Sequence, residues 1–121
     1  MASAAAIVVV LGTAVHAHHS HSDFLLDHNA TVSGQIESIQ FRNPHVLVKI
    51  RTADSTLYTV EWESARSLRT TAVTLNTLKI GDQIVVIGCP PRDSVVHELV
   101  ALKQVRRPSD GWVWSPHWLL N

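Results

Sequence analysis

The chain has 121 residues, with ten Lys and Arg balancing ten Asp and Glu, so its net charge is zero when the eight histidines are neutral. That balance leaves no electrostatic footprint for nucleic acid or for an anionic membrane surface, which argues against both as partners. A single cysteine, Cys89, excludes an internal disulfide, so the fold must be held by packing.

Residues 4–15 read Ala-Ala-Ala-Ile-Val-Val-Val-Leu-Gly-Thr-Ala-Val. This apolar run is shorter than the roughly 20 residues needed to cross a bilayer. Followed by Val15-His16-Ala17, it reads as a secretory signal over residues 1–17, although Met1-Ala2-Ser3 carries no Lys or Arg. The expected location is therefore periplasmic or secreted, with no membrane span once the signal is cut. Cleavage after Ala17 makes His18 the first residue of a His-rich segment over residues 18–30. Cleavage after Ala14, the alternative, leaves Val15 first. The mature chain is then long enough for one small domain that buries somewhat over half of its unfolded surface.

From Thr31 onward the hydrophobic period is close to two and β-branched residues are frequent, which predicts strands. In the first, Thr31 to Phe41, Val32 and Ile36 point one way and Ile39 and Phe41 the other. A change of phase within one strand marks a bulge or bend, and Gly34 would ease it. Arg42-Asn43-Pro44 is turn material. The second strand, His45 to Arg51, turns Val46, Val48 and Ile50 inward. The third, Leu57 to Glu63, places Tyr58, Val60 and Trp62 on one face and Thr59, Glu61 and Glu63 on the other.

Ser64 is a reasonable cap for a short helix reaching about Leu68. Gly81-Asp82 turns into a fourth strand, Gln83 to Gly88, whose continuous apolar run suits burial on both faces. The prolines at 90 and 91 end it. A fifth strand covers Val95 to about Val105, and a Trp-rich tail occupies residues 106–121. Three strands, a short helix and two more strands is the order of a small OB-like antiparallel barrel, here over residues 31–105. An antiparallel β-sandwich of the same size is the alternative.

Several short motifs together resemble an uncharacterised family of small exported bacterial proteins, a domain of unknown function. These are His18-His19-Ser20, Asn43-Pro44-His45 preceded by Phe41, and Tyr58-Thr59-Val60-Glu61. Leu78-Lys79-Ile80-Gly81-Asp82 and Gly88-Cys89-Pro90-Pro91-Arg92-Asp93 complete the likeness, which runs from His18 to about Val105. Two of the family's features are missing: Ser64-Ala65 stands where Ser-Pro is expected, and no Gly-Trp occurs around residues 70–73. The resemblance implies export and a β fold and carries no activity with it.

The chemistry concentrates in Ala17-His18-His19-Ser20-His21-Ser22-Asp23. A chain beginning at His18 has an α-amine and an imidazole on one residue, a bidentate chelate for a nitrogen-loving ion such as Cu(II). An α-amine of pKa about 8 gives up its proton readily to a metal at neutral pH. His19 or His21 would add a second imidazole, and His45, just after a proline turn, would add another from the barrel rim. The expected metal ligands are thus His18, His19, His21 and His45, with copper as the expected ion. The other reading of the cluster is a polar spacer that binds metal only adventitiously.

His97 is a weaker candidate, while His28 and His117 read as solvated. Glu61 and Glu63 share a strand face and read as solvated carboxylates, with Glu61 also a candidate for a salt bridge or rim ligand. No nucleophile motif is present and no catalytic residue is assigned, so a binding module is expected rather than an enzyme. Trp112, Trp114 and Trp118 suggest the alternative role, docking on another envelope protein, or else a plug for the open barrel end.

Overall fold

A computed structural model of the chain describes residues 21–119. Six strands form one sheet: β1 (Ala30–Gln40), β2 (Leu47–Arg51), β3 (Leu57–Glu61), β4 (Gln83–Cys89), β5 (Glu98–Arg107) and β6 (Trp112–Trp114). Helix α1 (Ala65–Thr70) lies between β3 and β4. The hydrogen-bonded order is β3-β2-β1-β4-β5-β6, and a further pairing of β3 with β5 closes the first five strands into a ring. β6 stands outside that ring. The architecture is the OB-like barrel that the element order predicts, and not the sandwich.

The barrel is mixed, not wholly antiparallel. Its closing seam is parallel and short, pairing Thr59 with Glu98 and Val60 with Leu99. β5 reaches β3 by bending. Ile87 of β4 faces Gln104, but Cys89, two residues on, already faces Val100. The surplus residues of β5 are accommodated at Ala101, which takes φ 48°. This irregularity frees one end of β5 from β4 and turns it toward β3.

The phase change in β1 is a bulge at Glu37, where the register slips between Ile36 and Ser38. Gly34 serves a different purpose from the one its position suggests. A side chain there would meet the Arg51 carbonyl oxygen at 2.5 Å, so Gly34 permits the close approach of the β2 end. The two alternating strands bury the faces expected of them: Val46, Val48, Ile50, Val60 and Trp62 all lie in the main core. Ile84, Val85 and Val86 are all buried, as a continuous apolar run requires of a strand covered on both sides.

Helix α1 begins where Ser64 caps it, its side chain accepting from the Ser67 N–H at 3.0 Å. It extends to Thr70, two residues past the expected end, and contributes Ala65 and Leu68 to the core. The tail is more ordered than its composition suggests. β6 pairs with β5, and Trp114 is buried edge-on against Trp62, ring centroids 5.1 Å apart. Among the described residues no helix is long and apolar enough to cross a membrane.

Candidate functional site

The barrel interior is filled. The cavity among Ile39, Phe41, Trp62 and Val73 measures about 10 Å³, too little for an organic ligand. Chemistry therefore has to be sought on the rim, and two segments bring titratable groups together there.

The first is a strap formed by residues 21–26. Its backbone is clasped to the β4–β5 connection: the Leu25 N–H donates to the Pro90 carbonyl at 2.8 Å, and the Arg92 N–H to the Asp23 carbonyl at 2.8 Å. The Arg92 guanidinium adds a bond from Nε to the Ser22 carbonyl, also at 2.8 Å. Phe24 anchors the strap from beneath, 2 % exposed in a small second core with Cys89 and Val100. Burying a phenylalanine contributes roughly 2–3 kcal/mol, more than any single surface bond in the clasp. Cys89 is part of that anchor, a buried thiol whose Sγ lies 3.6 Å from the Leu26 carbonyl.

The second is the approach to β2. Asn43–Pro44 is a cis peptide, and the turn docks on the start of α1, where the Asn43 side chain accepts from the Arg66 N–H at 3.0 Å. His45 follows directly. Backbone bonds between Val46 and Glu63, and between Trp62 and Val46, carry the β2–β3 pairing past the ends of the regular strands. They set Val46 opposite Trp62, and His45 just before it has Nδ1 3.3 Å from the Trp62 carbonyl.

Glu61 joins the two segments. Its Oε1 lies 3.4 Å from His45 Nδ1 and 4.0 Å from His21 Nε2, and its side chain is 27 % exposed. The strap thus delivers its histidine to the carboxylate beside which the barrel places His45. His21 and His45 are both brought to the rim; His18 and His19 lie outside the described residues. Glu61 stands at the centre of the cluster rather than on an open sheet face. Its neighbour Glu63 goes elsewhere and accepts from the Ser67 hydroxyl at 3.3 Å. The sequence pattern ran the strand on to Glu63 and put both glutamates on one face; they part because β3 ends at Glu61 and Glu63 belongs to the approach to α1.

The remaining histidines stand apart. His97 packs its ring on Tyr58 at 5.2 Å, His28 pairs with Asp27, and His117 is exposed beyond β6. Among the described residues no group of three or more His, Cys, Asp or Glu side chains already stands as a metal-holding set. His21 and His45 meet at Glu61 as two histidines flanking one carboxylate. Of the tail aromatics, Trp114 is committed to the core and donates from Nε1 to the Thr71 hydroxyl at 2.9 Å. Trp112 lies under the Arg107 guanidinium, and Trp118 is 60 % exposed.

No curated protein matches the chain. A family profile does, over residues 5–100, from the N-terminal apolar run to the first residues of β5. The chain belongs to that family, DUF6152, a family of unknown function.

Proposed function

We propose that the chain is an exported β-barrel module that binds a copper-class metal ion through its N-terminal histidines. In this reading His18 supplies its amine and imidazole, with His19, His21 and His45 as the further nitrogen donors. The observation that carries it is the strap. A polar His-rich start used only as a spacer has no reason to be clasped to the barrel by Phe24 and Arg92, with His21 4.0 Å from the carboxylate that flanks His45. The Irving–Williams order puts Cu(II) first for such a nitrogen-rich set.

N-terminal sequencing of the exported protein is the first test, since a mature start at Val15 or Ala17 removes the amine–imidazole chelate. Cu²⁺ titration of His18→Ala against wild type is the second, with an affinity loss of at least tenfold expected. Equal affinities would reduce the histidine run to a spacer.

A second reading is a non-catalytic docking module for another envelope protein, and it is favoured by one observation. Val113, Trp118 and Leu119 are all substantially exposed at the end of the chain, at 53 %, 60 % and 46 %. With Trp114 in the core, Trp118 is the tail aromatic left to meet a partner. Deleting residues 117–121 tests this without removing Trp114. A co-purifying envelope partner lost on that deletion supports docking, and one retained contradicts it.

A further inference from the structure

Of the four asparagines in the chain, only Asn29 opens an Asn-x-Ser/Thr triplet, Asn29-Ala30-Thr31, with a residue other than Pro between. Such a triplet carries weight only where the fold gives it the right surroundings, a surface position in an exported chain. The surface position is met. Leu26 to Asn29 are exposed residues linking the strap to β1, and Asn29 stands just before the ladder with β4 begins at Ala30. Residues two apart in an extended chain point to the same side. Thr31 is accordingly exposed like Asn29, while Val32 between Thr31 and Ser33 turns into the core. Asp27, its side chain 84 % exposed, adds a carboxylate two residues ahead of Asn29 that a basic acceptor groove can read by charge.

Lys103 orients the Asn29 amide. Its Nζ donates to the Asn29 side chain, and an ammonium has donors only, so the atom it meets is the oxygen, Oδ1. Nδ2 is the other arm of the amide and points away from Lys103. From this we infer that Asn29 is an N-glycosylation site of the exported chain, within an acceptor stretch from Asp27 to Thr31. The inference rests on the export part of the reading above and is independent of its metal part. The donor is of one chemical class, an oligosaccharide carried on a lipid pyrophosphate. Asn29 Nδ2 forms a bond to the anomeric carbon of the first sugar as the bond from that carbon to the pyrophosphate oxygen breaks. The lipid pyrophosphate leaves with the electron pair, one Nδ2 proton passes to a base, and nothing is oxidised or reduced. Oδ1 is untouched, so the Lys103 bond survives the modification. Order along the chain favours the transfer too. Residues 29–31 emerge before β4, which later pairs with Ala30 and Thr31, so the acceptor stretch is first presented free of the ladder. Folding then leaves Asn29 at the surface, where an attached glycan displaces nothing from the core.

Intact-mass spectrometry of the full chain, recovered from the cells that make it, reads the modification directly. The expected result is an exported protein heavier than its mature sequence by a whole oligosaccharide, carried on the peptide that contains Asn29. Asn29→Gln and Thr31→Ala should each abolish the excess, and Thr31→Ser, which keeps the hydroxyl, should retain it. Asp27→Ala should lower the glycosylated share at least twofold. Thermal melts check that the variants remain folded, and all three positions are exposed. An exported wild type at its unmodified mass overturns the inference and leaves export standing. An excess mass that persists in Asn29→Gln also overturns it, by placing the modification elsewhere. An unchanged share in Asp27→Ala overturns the part given to Asp27. A chain retained in the cell with residues 1–17 still attached overturns the export reading and the inference with it, so the two failures are told apart.

Discussion

The strap at residues 21–26 and the strand at Trp112–Trp114 both fold back onto the barrel, one over the β4–β5 connection and the other beside β5. β6 is held by what it buries. Trp114 enters the main core against Trp62, and Arg107 locks the approach by bonding Asp82 and Asp110 while covering the Trp112 ring. The strap is held by one buried ring and a few backbone bonds, with Leu25 half-buried and its other residues exposed. One end of the described chain completes the core, and the other uses a small anchor to carry polar side chains to a chosen point. The strap, fixed by one small apolar anchor, carries His21 to the Glu61 carboxylate.

The largest effect expected from this contrast is Trp114→Ala. Loss of a core indole, its edge contact with Trp62 and its bond to Thr71 should destabilise the domain by about 4 kcal/mol. Urea unfolding measures this, and Cu²⁺ affinity of the protein that remains folded should be unchanged. Phe24→Ala should reverse the pattern. Its stability loss is smaller, about 3 kcal/mol, because the second core is a shallow one. Its Cu²⁺ affinity should fall tenfold or more as the strap lets go of the rim. If the two variants lose metal affinity alike, or neither does, the division between the two ends is wrong.

A smaller effect is expected away from both ends. The Arg51 guanidinium, bonded to Glu37, holds that carboxyl below the usual carboxylate range, and Arg107 does the same for Asp110. A depressed folded-state pKa contributes stability above the unfolded pKa, about 4, and loses it as pH falls through the folded value. Both carboxylates are exposed, so the contribution is small. The melting temperature of Glu37→Gln should lie slightly below wild type at pH 7 and converge on it in strong acid. A constant gap across that range would show that the pair does not act through charge.

Much of the fold was legible in the sequence because its signals are local. Period-two alternation in residues 46–50 and 58–62 marks the inward faces, the run at 84–86 marks a strand covered on both sides, and Ser64 marks the helix start. The parallel seam was not legible, because it depends on a bend at Ala101 that no turn residue announces. β6 was missed as a strand for a related reason: three residues are too few for periodicity, and only the partner β5 makes them a strand. At the rim, the His-rich run and His45 stood out as separate features. What the sequence could not show was Glu61 between them, since residues 21, 45 and 61 meet only once the barrel closes and Phe24 finds its place beside Cys89. Glu61 read as a surface residue because its strand neighbours Thr59 and Glu63 are polar.

On the proposed function, the N-terminal histidines and the barrel act on one ion together. Cu²⁺ titration of a chain beginning at His18, with and without His45→Ala, decides this; the substitution lies on the half-exposed rim and leaves the core untouched. His45→Ala should weaken binding at least tenfold and change the nitrogen couplings in the Cu(II) electron paramagnetic resonance spectrum. Equal affinity and an identical spectrum would contradict it, and would leave the histidine run acting alone.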